Sequence, residues 1–262
     1  MTKANYHTHT YLCGHAEGLP IDYVKKAIEL GLEHIGISDH GYLKSRWTER
    51  MNLDSYQNIY LKNIDEAIEK YGAKIKIFKG LELEYLEGYD DLYKRYFKEN
   101  DYLMLGQHIV EVDHVDFDLY KPMNDKLIIA YKNAVIKGME SGYFKILAHP
   151  DLYMLRYLEW NDLTEAIAIA ITESAIKNDV YLEINSNGTR RTATYTNDLE
   201  LTWLYPRLEF WRIVSRYPEA KVIVGDDAHY LDHLHDLAVK NAILFAQKLG
   251  IKLHDKILSV LE

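Results

Sequence analysis

Two histidines near the start of the chain, His7 and His9, have a spacing that can form half of a metal site. If the segment 6–10 is a β-strand, its side chains alternate in direction, so both imidazoles project from one face. Two half-exposed strand histidines without a ligand would have the same spacing, so the motif alone is a weak signal. The spacing recurs at His233 and His235, but in a segment of helical character, where positions i and i+2 diverge by about 200° around the axis. We therefore interpret that second pair as a solvated helix start that does not share an ion.

Further histidines and carboxylates follow short apolar segments along the whole chain. One histidine after a strand is usually a hydrogen-bonded polar residue or a helix cap. Here such residues follow nearly every predicted strand, and ligation explains this placement better than separate structural roles do. The candidate metal ligands are His7, His9, His15, His40, Glu82, His108, His149, Asp227 and His229. These nitrogen and carboxylate ligands exceed what one tetrahedral ion needs, and they suit two or three divalent zinc, manganese or iron ions.

A cluster of this kind predicts chemistry on a phosphate group. Neutral imidazoles add no charge, so the carboxylates of Glu82 and Asp227 against several divalent cations would leave the pocket positively charged. The cations would bind phosphoryl oxygens and lower the pKa of a bridging water enough to give hydroxide near neutral pH. We therefore expect a small phosphorylated substrate, with catalytic roles for Glu82 and Asp227.

Arginines after the strand ends are candidates for gripping that phosphate. Arg156, Arg190 and Arg191 all follow predicted strands, and a guanidinium can bind phosphate in a bidentate manner. Ordinary surface solvation is the alternative for each of them. Arg190, just after the Asn187–Gly188 turn, is the strongest candidate, and we assign it a catalytic as well as a binding role. Cys13 could touch a metal, but small uncharged packing is the favoured interpretation.

Apolar periodicity predicts the elements that position these residues. Segments with a helical period lie at 20–30, 54–71, 91–99, 126–139, 163–177, 208–216 and 237–249. Short β-rich segments lie at 6–10, 34–38, 74–83, 102–108, 144–148, 180–184 and 221–225. About seven strands thus alternate with helices, as in α/β folds with a parallel sheet. Such a sheet either stays open and doubly wound or closes into a barrel; we expect a TIM-like barrel, because only closure brings so many strand ends together.

Composition places further limits on the molecule. The 262 residues are 48% hydrophobic and contain no Pro/Gly/Ser-rich linker, so we expect a single domain over 1–262. The formal charge of −9 argues against nucleic acid or an anionic membrane as a partner. One cysteine excludes an internal disulfide framework, and no segment approaches the ~20 apolar residues of a membrane span. We expect a cytoplasmic protein, and the sequence gives no indication of its oligomeric state.

Seven motifs, taken in order, resemble those of the polymerase and histidinol phosphatase (PHP) superfamily, and in particular of its bacterial histidinol-phosphate phosphatases. They are His7-Thr8-His9-Thr10, Ser38-Asp39-His40, Gly80-Leu81-Glu82, Gly106-Gln107-His108, Ala148-His149-Pro150-Asp151, Leu182-Glu183-Ile184-Asn185 and Gly225-Asp226-Asp227-Ala228-His229. The resemblance implies a distorted (β/α)7 barrel with up to three metal ions at the C-terminal ends of its strands. The family usually has serine where this chain has Asp226, which adds a negative charge and could lie among or behind the ligands.

The resemblance also implies a ligand set for each ion. One ion would be held by His7, His9, Glu82 and Asp227, a second by Glu82, His108 and His149, and a third by His15, His40 and His229. Glu82 would bridge the first two ions, and a metal-bridging hydroxide would attack phosphorus and release an alcohol.

The implied activity is hydrolysis of L-histidinol phosphate to L-histidinol and phosphate in histidine biosynthesis. The imidazole and amine of that substrate need acidic or polar partners, for which Glu17, Asp39, Asp113 and Asp116 are candidates. A PHP phosphoesterase for a nucleotide or sugar phosphate is the alternative, and a noncatalytic PHP-like module is a further one. An amidohydrolase is disfavoured, because its usual bridging lysine is missing and Glu82 takes that role.

Overall fold

Seven parallel strands form the central sheet of the protein. A computed structural model describes residues 2–43, 50–196 and 198–258. Numbering every strand in chain order, the sheet follows the order β1 (Ala4–Asn5), β2 (His34–Ile37), β3 (Lys76–Leu83), β4 (Tyr102–Leu105), β7 (Ile146–Leu147), β8 (Tyr181–Asn185) and β11 (Val222–Gly225). Every neighbouring pair is parallel, so all C-terminal strand ends lie at one end of the sheet.

The sheet closes almost completely into a barrel. At its C-terminal end, Thr8 pairs in parallel with Ala228, and the amide of His9 donates a 2.9 Å hydrogen bond to the Ala228 carbonyl. At its N-terminal end, the segment after the last helix lies beside β11, where Leu253 pairs with Val222. The structure therefore confirms the predicted α/β barrel of about seven strands.

Helices connect the strands around the outside of the barrel. They are α1 (Pro20–Glu29), α2 (Leu53–Ser55), α3 (Leu61–Tyr71), α4 (Asp90–Glu99), α5 (Asp125–Glu140), α6 (Asp162–Lys177), α7 (Ser186–Thr189), α8 (Leu208–Val214) and α9 (Leu237–Lys248). Asn124 and Asn161 cap the N-termini of α5 and α6 through side-chain oxygens, and Pro20 occupies the first turn of α1. The predicted helix over 54–71 is present, but a π-helical stretch, Tyr56–Tyr60, interrupts it. Among the described residues, no helix is long and apolar enough to span a membrane.

The barrel interior is filled below the strand ends by large side chains. On β3, Phe78, Gly80 and Glu82 share the inward face, whereas Leu81 and Leu83 pack outward against the helices. The Tyr102 ring crosses the interior beside Gly80, where a β-carbon would lie 2.3 Å from its Cζ. This packing of rings supports Glu82 from below and leaves its carboxylate at the open end of the barrel.

Two antiparallel hairpins were not predicted. One consists of β5 (Ile109–Val112) and β6 (Val115–Asp118), inside the aspartate-rich stretch that the sequence suggested was a loop. Its turn residues Asp113 and His114 both have positive φ without glycine, so the usual hairpin signal is missing. The other consists of β9 (Thr194–Tyr195) and β10 (Leu201–Thr202), two residues each. Both hairpins lie outside the seven-stranded sheet. The apolar and acidic residues of β6 do alternate, a signal that the interpretation as a loop overlooked, whereas β9 and β10 are too short to show a pattern.

Candidate metal centre

The predicted ligands converge at the C-terminal end of the barrel. Glu82 is on β3, and the other members lie in the segments that follow the strands; all except His15 and His229 are buried. His149 and Asp227 have positive φ, 34° and 46°, which turns the chain sharply so that their side chains point back over the barrel end. Strand order and closure thus bring together residues that are up to 222 positions apart in the sequence.

The Nε2 atoms of two histidines lie close to each other and to two carboxylates. The Nε2 atoms of His7 and His9 are 3.0 Å apart, and they lie 3.4 and 3.3 Å from Oε2 of Glu82. The same nitrogens lie 3.6 and 3.5 Å from Oδ1 of Asp227. Ligands bonded to zinc at about 2.0–2.2 Å in a tetrahedron are roughly 3.3–3.5 Å from one another. His7 and His9 are therefore spaced to bind one divalent cation together with Glu82, and Asp227 lies at a similar distance from both nitrogens.

The two oxygens of Glu82 face different groups. Oε1 lies 3.0 Å from Nε2 of His149 and 3.6 Å from Nε2 of His108, whereas Oε2 faces the His7 and His9 nitrogens. A carboxylate in this position could bridge two ions, as the resemblance implies.

His15, His40 and His229 form another group of possible ligands, whose atoms lie within 4.8 Å of one another. His40 belongs to two groups, because its Nδ1 is also 3.1 Å from Oε2 of Glu82. Cys13 is fully buried beside this centre, where it, His9 and His229 also offer atoms within 4.8 Å of one another.

The polar atoms of the centre are arranged as ligands of a cation, and not all of them are paired in hydrogen bonds with one another. Oδ1 of Asp227 is buried and accepts no hydrogen bond from the described residues, although imidazole nitrogens of His7, His9 and His229 surround it. Nitrogen and carboxylate donors at such distances are the set that zinc, manganese and iron prefer. The residues present therefore fit a divalent transition metal.

The pKa shifts of the carboxylates and imidazoles also favour the binding of a cation at this centre. Burial alone would raise the pKa of Glu82, but the imidazoles around it hold that pKa well below its usual range, and the same balance applies to Asp227. Burial alone would lower the pKa of His7, yet the surrounding carboxylates, Glu183 first, raise it well above its usual value. Burial lowers the pKa of His15 to about 4, with His229 adding to the shift. The carboxylates thus stay ionised and attract positive charge to the centre.

Carboxylates behind the ligands fix two of the imidazoles. Nδ1 of His7 lies 2.7 Å from Oε1 of Glu183, and Nδ1 of His108 lies 3.2 Å from Oε1 of Glu84. A proton held on Nδ1 leaves Nε2 with its lone pair directed at the centre, which is the usual arrangement in metal sites. Arg50 in turn donates to both oxygens of Glu84 at 2.8 Å. Sequence analysis placed Glu183 in a family motif but assigned no role to it or to Glu84, which directly follows β3 two residues after Glu82.

Backbone carbonyls serve other ligands in the same way. Nδ1 of His15 lies 3.0 Å from the Cys13 carbonyl, and Nδ1 of His229 lies 3.2 Å from the Asp227 carbonyl. Cys13 therefore supports the centre through its backbone as well as lying beside it.

The arginine selected from sequence does not face the cavity. Arg190 donates to Asp236 at 2.9 Å and to the backbone carbonyls of Asp226 and His233 at 2.7 Å. Protein oxygens thus engage the Arg190 guanidinium, and Arg190, which we expected to bind phosphate and act in catalysis, is not among the residues that line the cavity. Arg191 lines the cavity instead, where its Nε donates to the Tyr205 hydroxyl at 3.1 Å.

Two other expected substrate-binding residues also lie outside the cavity lining. Arg156 donates to the Tyr120 carbonyl at 2.9 Å, and Glu17 is exposed on the surface. Arg156 was selected for its guanidinium and its position after a predicted strand, and Glu17 for its charge alone. Neither criterion determines the direction of a long side chain.

The second His-x-His motif is not a solvated helix start. His235 has positive φ and a largely buried side chain, with Nδ1 at 3.0 Å from Oδ2 of Asp226. His233 ends a 3-10 helix and lines the cavity. The two side chains thus diverge, as predicted. Asp226 lies behind the ligands, because the same Oδ2 also accepts the His235 amide at 2.7 Å.

A cavity of about 470 Å³ opens above the centre. Its remaining lining residues are Arg50, Asp118, Tyr120, Asn187, Arg191, Tyr230 and His233. The centre at the base of the cavity is suited to cations, and the guanidinium of Arg191 on its wall is suited to an anion.

Known proteins resemble this chain in sequence and fold. A "Probable histidinol-phosphatase" of Deinococcus radiodurans is 24% identical over 146 residues, which are 54% of this chain and 53% of that protein. The chain thus spans about half the length of that curated relative. Histidinol phosphate phosphatase of Lactococcus lactis, solved with zinc, L-histidinol and phosphate, superposes with a TM-score of 0.72 at 18% identity, covering 96% of this chain and 95% of that one.

A more distant structural neighbour comes from the metal-dependent tyrosine phosphatases of Bacillus subtilis and Streptococcus pneumoniae. It has a TM-score of 0.52 at 16% identity and covers 94% of this chain and 86% of that one. At these identities the structural matches show a shared fold. The sequence model of the PHP domain matches residues 5–187, which is most of the chain. This chain therefore belongs to the PHP domain family.

Proposed function

We propose that the protein is a metal-dependent phosphomonoesterase that hydrolyses L-histidinol phosphate to L-histidinol and phosphate in histidine biosynthesis. The observation that carries this proposal is that the Nε2 atoms of His7 and His9 lie 3.3–3.6 Å from the carboxylates of Glu82 and Asp227, below a cavity whose wall includes Arg191. The names of the Deinococcus and Lactococcus proteins support the choice of substrate. The reaction belongs to a biosynthetic pathway of the cytoplasm, where we expect the protein to act.

Two or three divalent zinc, manganese or iron ions would be held by the predicted ligands. His7, His9, Glu82 and Asp227 would hold one ion, Glu82, His108 and His149 a second, and His15, His40 and His229 a third. When bound, such ions neutralise phosphoryl oxygens and make a coordinated water acidic enough to act as a nucleophile near neutral pH.

The chain's own residues orient the reacting groups. Glu82 contributes one oxygen to each of two ligand groups, so it fixes their separation. Glu183 and Glu84 hold the tautomers of His7 and His108. Arg191, fixed by Tyr205 beneath its guanidinium, is the side chain placed to bind a phosphoryl oxygen.

A substrate panel tests the proposal. Metal-replete protein is assayed for phosphate release from L-histidinol phosphate, a nucleoside monophosphate, a sugar phosphate and phosphotyrosine, with metal content measured on the same sample. We expect L-histidinol phosphate to give the highest kcat/KM. A much higher kcat/KM for another phosphomonoester would reject the substrate and favour the broader PHP phosphoesterase, for which the tyrosine-phosphatase neighbour is a structural precedent.

Variants separate the metal centre from phosphate binding. Glu82→Gln keeps the size of the side chain but removes a charge that faces both ligand groups, so it should lose metal and activity together. Arg191→Ala should keep its metal and raise KM roughly 10- to 100-fold, because a charged hydrogen bond contributes about 1.5–3 kcal/mol. No turnover of any phosphomonoester by metal-replete protein would favour a noncatalytic module.

A further inference from the structure

Asp118 is a carboxylate of the cavity that the metal centre does not use. It ends β6, and the hairpin register pairs it with Ile109, the residue after His108. The amide of Leu119 donates a 2.9 Å hydrogen bond to the His108 carbonyl, which fixes this end of the hairpin beside the centre. The β5–β6 hairpin therefore carries Asp118 to the rim of the cavity, next to a predicted metal ligand.

The charge of Asp118 is available to a ligand. Three carboxylates line the cavity within the described ranges, and two of them, Glu82 and Asp227, lie among the imidazoles of the centre. Asp118 is half-buried, and its Oδ1 accepts the Tyr120 amide at 2.8 Å. It forms no ion pair with any lysine, arginine or histidine that the structure describes. The carboxylates at the base of the cavity thus face the candidate metal ligands, whereas Asp118 places a separate negative charge at the rim.

The acidic residues considered from sequence do not offer this position. Asp39 is fully buried and accepts hydrogen bonds from the amide and hydroxyl of Thr10. Asp113 is on the surface at the hairpin turn, where it pairs with Lys126 at 2.6 Å. Glu17 and Asp116 are exposed and do not line the cavity.

We propose that Asp118 binds the ammonium group of the substrate and so selects phosphomonoesters whose alcohol carries an amine. This inference rests on the proposed function, because it places the phosphate at the centre and the rest of the substrate toward the rim. An ammonium group close to phosphate is repelled by the cations that bind the phosphate. A carboxylate at the rim offsets that repulsion, and a charge-assisted hydrogen bond is stronger than a neutral one.

The neighbouring ring supports the same position for the alcohol portion. Tyr120 lies parallel to the His108 imidazole, with an angle of 8° between the planes and 6.2 Å between the centroids. Its main chain also holds the Asp118 carboxylate, so the ring and the charge keep a fixed relation. An aromatic surface beside a carboxylate suits a substrate with a flat ring and an amine.

A pair of substrates that differ only in the amine tests the proposal. L-Histidinol phosphate and 3-(imidazol-4-yl)propyl phosphate, its deamino analogue, are compared by kcat/KM with wild-type protein and with Asp118→Asn. We expect wild-type protein to prefer the amine roughly 10- to 100-fold, the range that a charged hydrogen bond provides. In Asp118→Asn the ratio should fall to about one. Because the ratio is taken within one protein sample, a partial loss of metal cancels.

Asp116→Asn is the matched control. It removes the same charge two residues away on the same strand, from a residue outside the cavity lining. This variant should keep the wild-type ratio, whereas a general effect of net charge would change both variants alike. An Asp118→Asn protein that keeps the wild-type preference would overturn the proposal.

A second pair separates this proposal from the choice of substrate. 2-Aminoethyl phosphate and ethyl phosphate carry no imidazole but differ in the same amine. If L-histidinol phosphate is not hydrolysed while the amine preference appears in this pair and depends on Asp118, the proposed substrate fails and the role of Asp118 stands. If wild-type protein hydrolyses both members of either pair without preference, the role of Asp118 is refuted and the phosphatase activity stands.

Discussion

Replacing Glu183 with glutamine should weaken metal binding without touching a predicted ligand. Glu183 is fully buried, and its Oε1 lies 2.7 Å from Nδ1 of His7. Its Oε2 accepts the His149 amide at 3.2 Å and the Asn185 side-chain amide at 2.9 Å. A glutamine NH2 at the Oε2 position would face these two donors. At the Oε1 position it would face Nδ1 of His7 and move the proton of that ring to Nε2, the atom directed at the centre.

The size of the effect follows from the bond that is lost. A distance of 2.7 Å is in the range of charge-assisted hydrogen bonds, and a hydrogen bond to a charged group contributes about 1.5–3 kcal/mol. Since 1.36 kcal/mol corresponds to a factor of ten, the dissociation constant for metal should rise about 10- to 100-fold. This range agrees with the usual effect of replacing a residue behind a metal ligand, about 10- to 100-fold.

Competition with a chromophoric chelator measures this dissociation constant. The matched control is Glu159→Gln, the same chemical change at an exposed residue, which should bind metal as wild-type protein does. Thermal unfolding in excess chelator shows whether the metal-free variant still folds. A folded Glu183→Gln protein with wild-type metal affinity would refute the view that Glu183 sets the tautomer of His7.

Three further variants test separate parts of the structure. Gly106→Ala would place a β-carbon 2.0 Å from Oε1 of Glu82, so the carboxylate must rotate, and equilibrium dialysis should show metal affinity reduced by at least about 10-fold. Arg190→Ala should lower the free energy of unfolding, measured in urea, by about 2–3 kcal/mol, because buried oxygens lose a charged donor. KM should change little. Unchanged stability together with a raised KM would contradict this role. Burial alone would lower the pKa of His235, but the hydrogen bond and charge of Asp226 raise it above the value of about 6.5 in the unfolded chain. The stabilisation is therefore complete below about pH 6.5 and is lost as pH rises through the folded pKa, so the stability difference between wild type and His235→Gln should shrink toward alkaline pH. A difference that is constant from pH 6 to 9 would argue against the charged pair.

The fold and the composition of the centre were predictable because each depends on a local pattern. Short β-rich segments marked the seven strands, and the C-terminal ends of strands in a parallel barrel must lie at one end. Glu82 followed from this rule, since its place on the inward face of β3 depends only on strand period and direction. Short strands were located less accurately: the segment 6–10 begins after β1, and it extends the barrel through a single pair at Thr8.

The directions of the long side chains could not be predicted from local sequence patterns. Arg190 and Arg191 are adjacent and equally basic, yet one donates to backbone carbonyls beneath the centre and the other lines the cavity. The difference depends on Asp236 and Tyr205, which are 46 and 14 residues away from their arginine partners. Glu183 was named in a motif but received no role for a related reason, because a carboxylate in the middle of a buried strand shows no partner in the sequence.

Glycines mark the places where the carboxylates of the centre and their supports need room. A β-carbon at Gly106 would collide with Glu82, and one at Gly225 would lie 1.7 Å from Oε1 of Glu183. Gly106 follows β4, the neighbour of the strand that carries Glu82. Gly225 ends β11, the neighbour of the strand that carries Glu183. A carboxylate inside a barrel needs a neighbour without a side chain, because the rings below it leave no other space. Gly106, in the Gly-x-His spacing at 106–108, and Gly225, directly before Asp226, thus leave room for the carboxylates of Glu82 and Glu183. A larger side chain at either glycine should lower metal affinity at a smaller steric change than is needed to destabilise the fold.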